Sequence, residues 1–152
     1  MREKFYQDLY EVKDISDIKI DRDEENLISG RYIYRELKFG FFEANLPNSG
    51  FNIFTNILKI SFDINYSNSK RNSFIQKLRE FLEREVNDIP TLRTSYKLNK
   101  ESNEIYFELI NDIAFNNEIK VSSRNIILPM LDLLFLARTK ILLFIIEFKN
   151  NN

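Results

Sequence analysis

The chain lacks the two side chains that most often carry catalysis and bind transition metals, because it contains no histidine and no cysteine. Disulfides, thiolate nucleophiles, cysteine-based zinc sites and histidine-dependent catalytic triads are therefore excluded for this chain by itself. Carboxylates, amines, guanidinium groups and hydroxyls remain as the groups available for chemistry. Because carboxylate oxygens favour hard cations, the metals that these groups suit are Mg²⁺, Mn²⁺ and Ca²⁺.

One arrangement of such groups lies near the end of the sequence. Asp132 opens one strongly apolar run, and Glu147-Phe148-Lys149 closes the next. This order resembles the core of the PD-(D/E)xK nuclease superfamily, in which an Asp begins one core strand and an acidic residue, a spacer and a Lys end the neighbouring strand. The resemblance implies that Asp132 and Glu147 ligate Mg²⁺ or Mn²⁺ and that the catalytic Lys149 orients or activates the attacking water. It implies a metal-dependent phosphodiesterase, or a degenerate or fragmentary relative, acting on nucleic acid.

The same three residues also have a purely structural interpretation. The end of a buried strand must emerge into water and often carries charged residues there, which would explain Glu147 and Lys149. Asp132 would then be a turn or cap residue. We expect this structural role, and with it a protein that has no cofactor and is not an enzyme.

A second candidate group is basic. Lys70 and Arg71 open a predicted helix at about 70–87 that carries further Lys and Arg residues, and phosphate binding needs such charge. They are therefore the candidate nucleic-acid contacts. Acidic residues alternate with the basic ones, which favours a solvated helix face on which the two form ion pairs. The net charge of -1 likewise argues against a dedicated DNA-coating protein.

These residues are expected to lie in a single domain, 1–152, because 152 residues is one domain's length. Apolar spacing predicts the helix over about 70–87 and a short helix over 3–12. Period-two alternation predicts strands at 17–20, 31–43 (with a bulge or a break into two strands), 59–66, 92–98, 105–109 and 118–121. The predicted class is α+β: a mostly antiparallel sheet with one main helix packed on it and a short N-terminal helix.

The segment 126–148 is ambiguous, because periodicity does not separate a doubly buried hairpin from one buried helix. The prediction favours two strands that turn at Arg138-Thr139-Lys140, and such an apolar hairpin needs cover on both faces. A second subunit supplies that cover in a homodimer. The central charges argue against a membrane span, and the acidic start argues against a signal peptide, so we expect a cytoplasmic protein.

Taken together, the sequence favours a non-catalytic protein-binding domain of accessory-gene type, an inhibitor, immunity or antitoxin-like protein of a phage or mobile element. Another protein is the expected partner, and exposed strand edges and tyrosines are the expected contacts. The metal-dependent nuclease is the alternative.

Overall fold

A six-stranded antiparallel sheet and two long helices dominate the computed structural model, which describes residues 5–46, 48–116 and 123–151. The strands are β1 (Ile15–Asp23), β2 (Leu27–Tyr34), β3 (Leu37–Asn45), β4 (Phe51–Asp63), β5 (Leu92–Asn99) and β6 (Glu104–Asn116). Their order across the sheet is β1-β2-β3-β4-β6-β5. A 3-10 helix (Phe5–Glu11) precedes β1, α1 (Asn68–Phe81) follows β4 and continues as a π-helical turn (Leu82–Val86), and α2 (Ser123–Asn151) follows β6.

The predicted α+β class is confirmed, and so are most of its elements. The helix predicted at about 70–87 corresponds to α1 with its π-helical turn, and the hairpin predicted from 92–98 and 105–109 is β5 paired with β6. Residues 31–43 form two strands rather than one bulged strand, because Arg35 and Glu36 make a tight turn with φ of 49° and 68°. The strand predicted at 118–121 lies outside the described residues.

The predicted C-terminal hairpin is wrong, because residues 126–148 lie within the single helix α2. Its buried residues lie on one side of the helix, which packs against the sheet and α1: Ile127, Met130, Leu131, Leu134, Ala137, Ile141, Ile145 and Phe148. The apolar runs look continuous because exposed apolar residues fill positions on the opposite side of the helix. The hairpin that was predicted as the homodimer interface therefore does not exist, because these residues are helical. Among the helices that the structure describes, none combines the length and apolarity needed to cross a bilayer.

The core lies between the helices and one face of the sheet, which we call the inner face. Aromatic rings dominate it, and α1 meets α2 through Phe74, whose ring centroid lies 5.9 Å from that of Phe144. Two buried asparagines, Asn56 and Asn111, are register partners within this face. Asn111 Nδ2 donates a hydrogen bond of 2.6 Å to the carbonyl oxygen of Met130, which ties β6 to α2.

Candidate functional site

The predicted metal ligands are not brought together by α2. Asp132 and Glu147 are fifteen residues apart on this one helix, which at about 1.5 Å of rise per residue separates them by about 22 Å along its axis. Two carboxylates bind one ion only when both reach it at about 2.0–2.6 Å. Lys149 lies close to Glu147 on the same helix, far from Asp132. Within the described ranges, no group of three metal-ligating side chains is present.

Asp132 instead connects α2 to the β2–β3 turn. Its Oδ1 accepts a hydrogen bond of 3.2 Å from the Tyr34 hydroxyl and lies 3.8 Å from Nη2 of Arg35. The Arg35 guanidinium also lies over the Tyr34 and Phe135 rings, 5.2 and 5.3 Å from their centroids. Burial, and then the nearby Asp132 carboxylate, raise the pKa of Tyr34 above its ordinary value, so the phenol stays a donor. The contacts of Asp132 are therefore those of a tether between helix and sheet.

The predicted nucleic-acid contacts lie in the first turn of α1. Lys70 is exposed, whereas Arg71 is half-buried and its Nη2 donates a hydrogen bond of 2.6 Å to Oδ1 of Asn103. This bond fastens the start of α1 to the β5–β6 turn. The guanidinium of Arg71 thus serves the packing of the domain rather than facing outward beside Lys70.

The opposite face of the sheet, which we call the outer face, is apolar at its centre. The helices that the structure describes contribute their buried side chains to the core on the inner face. On the outer face Ile57 of β4 lies directly across from Ile110 of β6, and Ile53 lies across from Ala44. Phe42 of β3 lies diagonally between the two isoleucines of β4. We call these residues the outer apolar strip: Phe42, Ala44, Ile53, Ile57 and Ile110.

Thr55 shows how closely this strip is packed. It belongs to the outer face as the register partner of Phe42, yet it is 0% exposed. Its hydroxyl donates a hydrogen bond of 2.6 Å to Oδ1 of Asp112, whose Oδ2 lies 2.7 Å from Nη2 of Arg93. Thr55 is thus fully buried although it belongs to the outer face, and the Arg93–Asp112 ion pair borders the strip on the β5 side.

A second ion pair borders the strip on the β2 side. Arg31 donates two hydrogen bonds of 3.0 Å to the Asp21 carboxylate of the edge strand β1. An apolar centre with charged residues at its margin is the usual composition of a protein-binding surface. The outer apolar strip with its two ion pairs is therefore the candidate site.

A pocket of about 350 Å³ adjoins the strip where β4, β6 and β5 run side by side. Its outward-pointing residues are Lys59, Ser61, Ser95, Lys97, Tyr106 and Glu108. Tyr106 is 41% exposed, and its hydroxyl donates a hydrogen bond to the Glu104 carboxylate, which raises the pKa of the phenol. The lysines and serines that line the pocket suit a polar or acidic side chain of a partner.

Sequence reasoning did not find the outer strip, although a signal for it exists. Residues 53–58 of β4 alternate so that Ile53, Thr55 and Ile57 face outward while Phe54, Asn56 and Leu58 face inward. Both faces of this segment are rich in apolar residues, which hides the period-two pattern of a strand that has one wet face. A strand that is apolar on both sides is the available sign of a second packing surface.

The comparisons with known proteins identify a similar fold but give no information about function. No family model and no curated protein matches the chain. Among solved structures, the chain is similar to the crystal structure of an uncharacterized protein from Methanothermobacter thermautotrophicus. The TM-score is 0.54 and the sequence identity is 12%, and the match covers 93% of this chain and 94% of the other. A likeness at this identity shows a shared architecture alone.

Proposed function

We propose that this protein is a non-catalytic binding domain that docks another protein on the outer apolar strip. The observation that supports the proposal is the pairing of Ile57 with Ile110 beside Phe42, on the face of the sheet opposite the helix layer. The proposal keeps the inhibitor, immunity or antitoxin-like role of an accessory gene, since such proteins act by occupying a surface of their target. It also keeps the predicted cytoplasmic location, because disulfides are rare in cytosolic proteins and this chain has no cysteine to form one.

The geometry of the strip suits tight binding for two physical reasons. Its side chains stand on hydrogen-bonded strands at the centre of the sheet, so little backbone freedom is lost when a partner binds. Fully burying an exposed large apolar side chain contributes about 1.5–3 kcal/mol. Phe42 and Ile57 are already half-buried, so each contributes part of that amount, and a few such residues supply most of the affinity. The Arg93–Asp112 and Arg31–Asp21 ion pairs then set orientation and register more than strength.

The test is a comparison of capture from lysate of the native host by the wild type, Phe42→Lys and Ile57→Lys. A captured protein is identified, purified and titrated against each variant. Each lysine is expected to weaken binding at least about tenfold, because a hot-spot residue contributes about 2 kcal/mol or more and one tenfold step is about 1.4 kcal/mol.

The matched control is Ile20→Lys, which changes an isoleucine on the edge strand β1 that is 36% exposed and lies outside the strip. It is expected to bind the captured protein as the wild type does. Circular dichroism and thermal unfolding establish that all three variants are folded. Equal affinity of Phe42→Lys, Ile57→Lys and the wild type for the purified partner would contradict the proposal.

The proposal also keeps homodimerisation through the C-terminal apolar segment. Since residues 126–148 are helical, the surface involved is a side of α2 and not a hairpin. Three apolar residues of that segment remain exposed: Leu136, Leu143 and Ile146.

A further inference from the structure

Two exposed lysines line the pocket that adjoins the outer apolar strip, Lys59 of β4 and Lys97 of β5. Neither forms an ion pair within the described part of the chain. Glu108 of β6, the strand between them, is the register partner of Lys59. Tyr106, two residues away on the same strand, is the register partner of Lys97. At about 4.8 Å between strands and about 3.4 Å per residue, the two lysine backbones are about 12 Å apart. One group placed between them is therefore within reach of both long side chains.

The other polar groups of the pocket leave it with more donors than acceptors. Ser61 and Ser95 add two hydroxyls, which make no hydrogen bond to the residues that the structure describes. The Tyr106 hydroxyl is already committed, because it donates to the Glu104 carboxylate. Among the described residues that line the pocket, Glu108 is the one carboxylate. Two positive charges thus face one negative charge, and a ligand group that brings oxygen acceptors complements the pocket.

The charges around the pocket place its cationic side next to the strip. Lys38 of β3 is exposed and lies two residues from Gly40, the register partner of Ile57, so it points to the same outer face. It forms no ion pair with the rest of the described chain. Asp63 and Glu104 are register partners at the far side of the pocket from the strip. An acidic group that arrives along the strip therefore meets lysines first.

We infer that the partner docked on the outer apolar strip places an aspartate or glutamate side chain in this pocket. The inference rests on the proposed function, because it gives the chemistry of the partner of that same face. A carboxylate between Lys59 and Lys97 accepts charge-assisted hydrogen bonds from both ammonium groups. Ile57 precedes Lys59 by two residues, which is about 7 Å along the strand. The partner therefore presents its acid about 7 Å from the apolar group that covers Ile57.

A small probe tests the pocket without the partner. The anion 3-phenylpropionate joins an aromatic ring to a carboxylate, and the neutral 3-phenylpropanamide is its matched control. Backbone amide NMR shifts of the pocket residues follow each titration. The acid is expected to bind with a dissociation constant in the millimolar range, as suits so small a ligand. The amide is expected to bind about threefold to fivefold more weakly, because the lysines are exposed and their charge is partly screened.

Matched variants assign that preference to the two lysines. The double variant Lys59→Met/Lys97→Met keeps the length of both side chains and is expected to bind the acid and the amide equally. Lys13→Met is the control, since Lys13 is exposed and precedes the edge strand β1, on the other side of β2 and β3 from β4. It is expected to prefer the acid as the wild type does. Equal binding of the two probes to the wild type, or acid-induced shifts confined to residues outside the pocket, would overturn the inference.

The purified partner separates this inference from the proposed function. The double variant Lys59→Glu/Lys97→Glu is expected to bind it at least about tenfold more weakly, mainly through a slower association that depends on salt. Full affinity of this variant, together with loss of binding in Ile57→Lys, refutes the acidic contact and leaves the docking face standing. Full affinity of both Phe42→Lys and Ile57→Lys refutes the docking face, and the inference with it.

Discussion

Removal of one buried hydroxyl, in Tyr32→Phe, is expected to destabilise the domain measurably. The Tyr32 side chain is 1% exposed and its hydroxyl donates a hydrogen bond of 2.6 Å to Oδ1 of Asn56, which is fully buried. Nδ2 of Asn56 has no hydrogen-bond partner in the described part of the chain. The Tyr32 ring lies parallel to the Phe39 ring, with centroids 5.5 Å apart, and phenylalanine keeps that contact. The substitution therefore isolates the loss of a single hydrogen bond.

The magnitude follows from what the substitution leaves behind. Without the phenol, Oδ1 of Asn56 is a buried acceptor that has lost its donor, which costs about 1–3 kcal/mol. For a chain of this length a loss of about 2 kcal/mol lowers the melting temperature by roughly 4–8 °C. Urea unfolding at neutral pH measures the free energy, and a constant m-value shows that the change lies in stability alone.

A double-mutant cycle with Asn56→Leu tests the reasoning. Asn56→Leu alone leaves the Tyr32 hydroxyl buried without an acceptor, whereas the double variant has an apolar group at both positions. Replacing both partners in this way is expected to be close to neutral, so the two destabilisations are strongly non-additive. A single substitution that costs less than about 0.5 kcal/mol, or additive effects in the double variant, would refute the reasoning.

The same substitution is expected to alter the stability of the protein at alkaline pH. Burial raises the pKa of Tyr32 well above the ordinary tyrosine value. The folded state therefore holds this proton more tightly than the unfolded chain does. The stabilisation that this difference in pKa supplies is fully present below about pH 10, the pKa of the tyrosine in the unfolded chain. It is lost as the pH rises from there toward the pKa of Tyr32 in the folded protein. Above about pH 10, Tyr32→Phe is expected to lose less stability with rising pH than the wild type does. An identical decline in both proteins would contradict the assignment.

Two further substitutions test the packing that positions the site. Gly30→Ala places a methyl group 2.3 Å from the carbonyl oxygen of Lys19 and 2.9 Å from the Phe41 ring, so it is expected to destabilise the protein by about 1–3 kcal/mol in urea unfolding. Its matched control, Gly40→Ala, meets no atom closer than 3.9 Å and is expected to stay within about 0.5 kcal/mol of the wild type. Asp132→Ala removes the contacts to Tyr34 and Arg35 and is expected to cost at most about 1 kcal/mol, because the carboxylate is half exposed. A larger loss in thermal unfolding would show that the tether is stronger than an exposed pair.

The elements that could be predicted from the sequence are those with one buried and one wet face. In β5, Arg93, Ser95 and Lys97 point to solvent between inward-facing residues, so the alternation of a strand can be recognised in the sequence. In α1 the apolar residues Phe74 and Leu78 recur at helical spacing among charged ones. Each pattern reports a local property, the alternation between core and water, and needs no knowledge of distant contacts.

The elements that sequence reasoning missed are apolar on two sides. In α2 the exposed Leu136 and Leu143 stand beside buried residues, so the runs read as continuous and imitate doubly buried strands. The role of Asp132 was hidden for a different reason, because its hydrogen bond to Tyr34 joins residues 98 positions apart. No local sequence pattern encodes such a contact. A carboxylate beside an apolar run gives the same sequence pattern whether it connects a helix to a sheet or binds a metal.

The outer apolar strip and the exposed apolar residues of α2 have a common geometric consequence. The two surfaces lie on opposite sides of a two-layer domain, so the proposed pairing along α2 would leave both strips of the dimer facing outward. A twofold dimer then carries two identical binding faces, which gain avidity only against a partner that presents its own site at least twice. Against a monomeric target the dimer adds no affinity. The advantage of pairing along α2 therefore depends on the oligomeric state of the target.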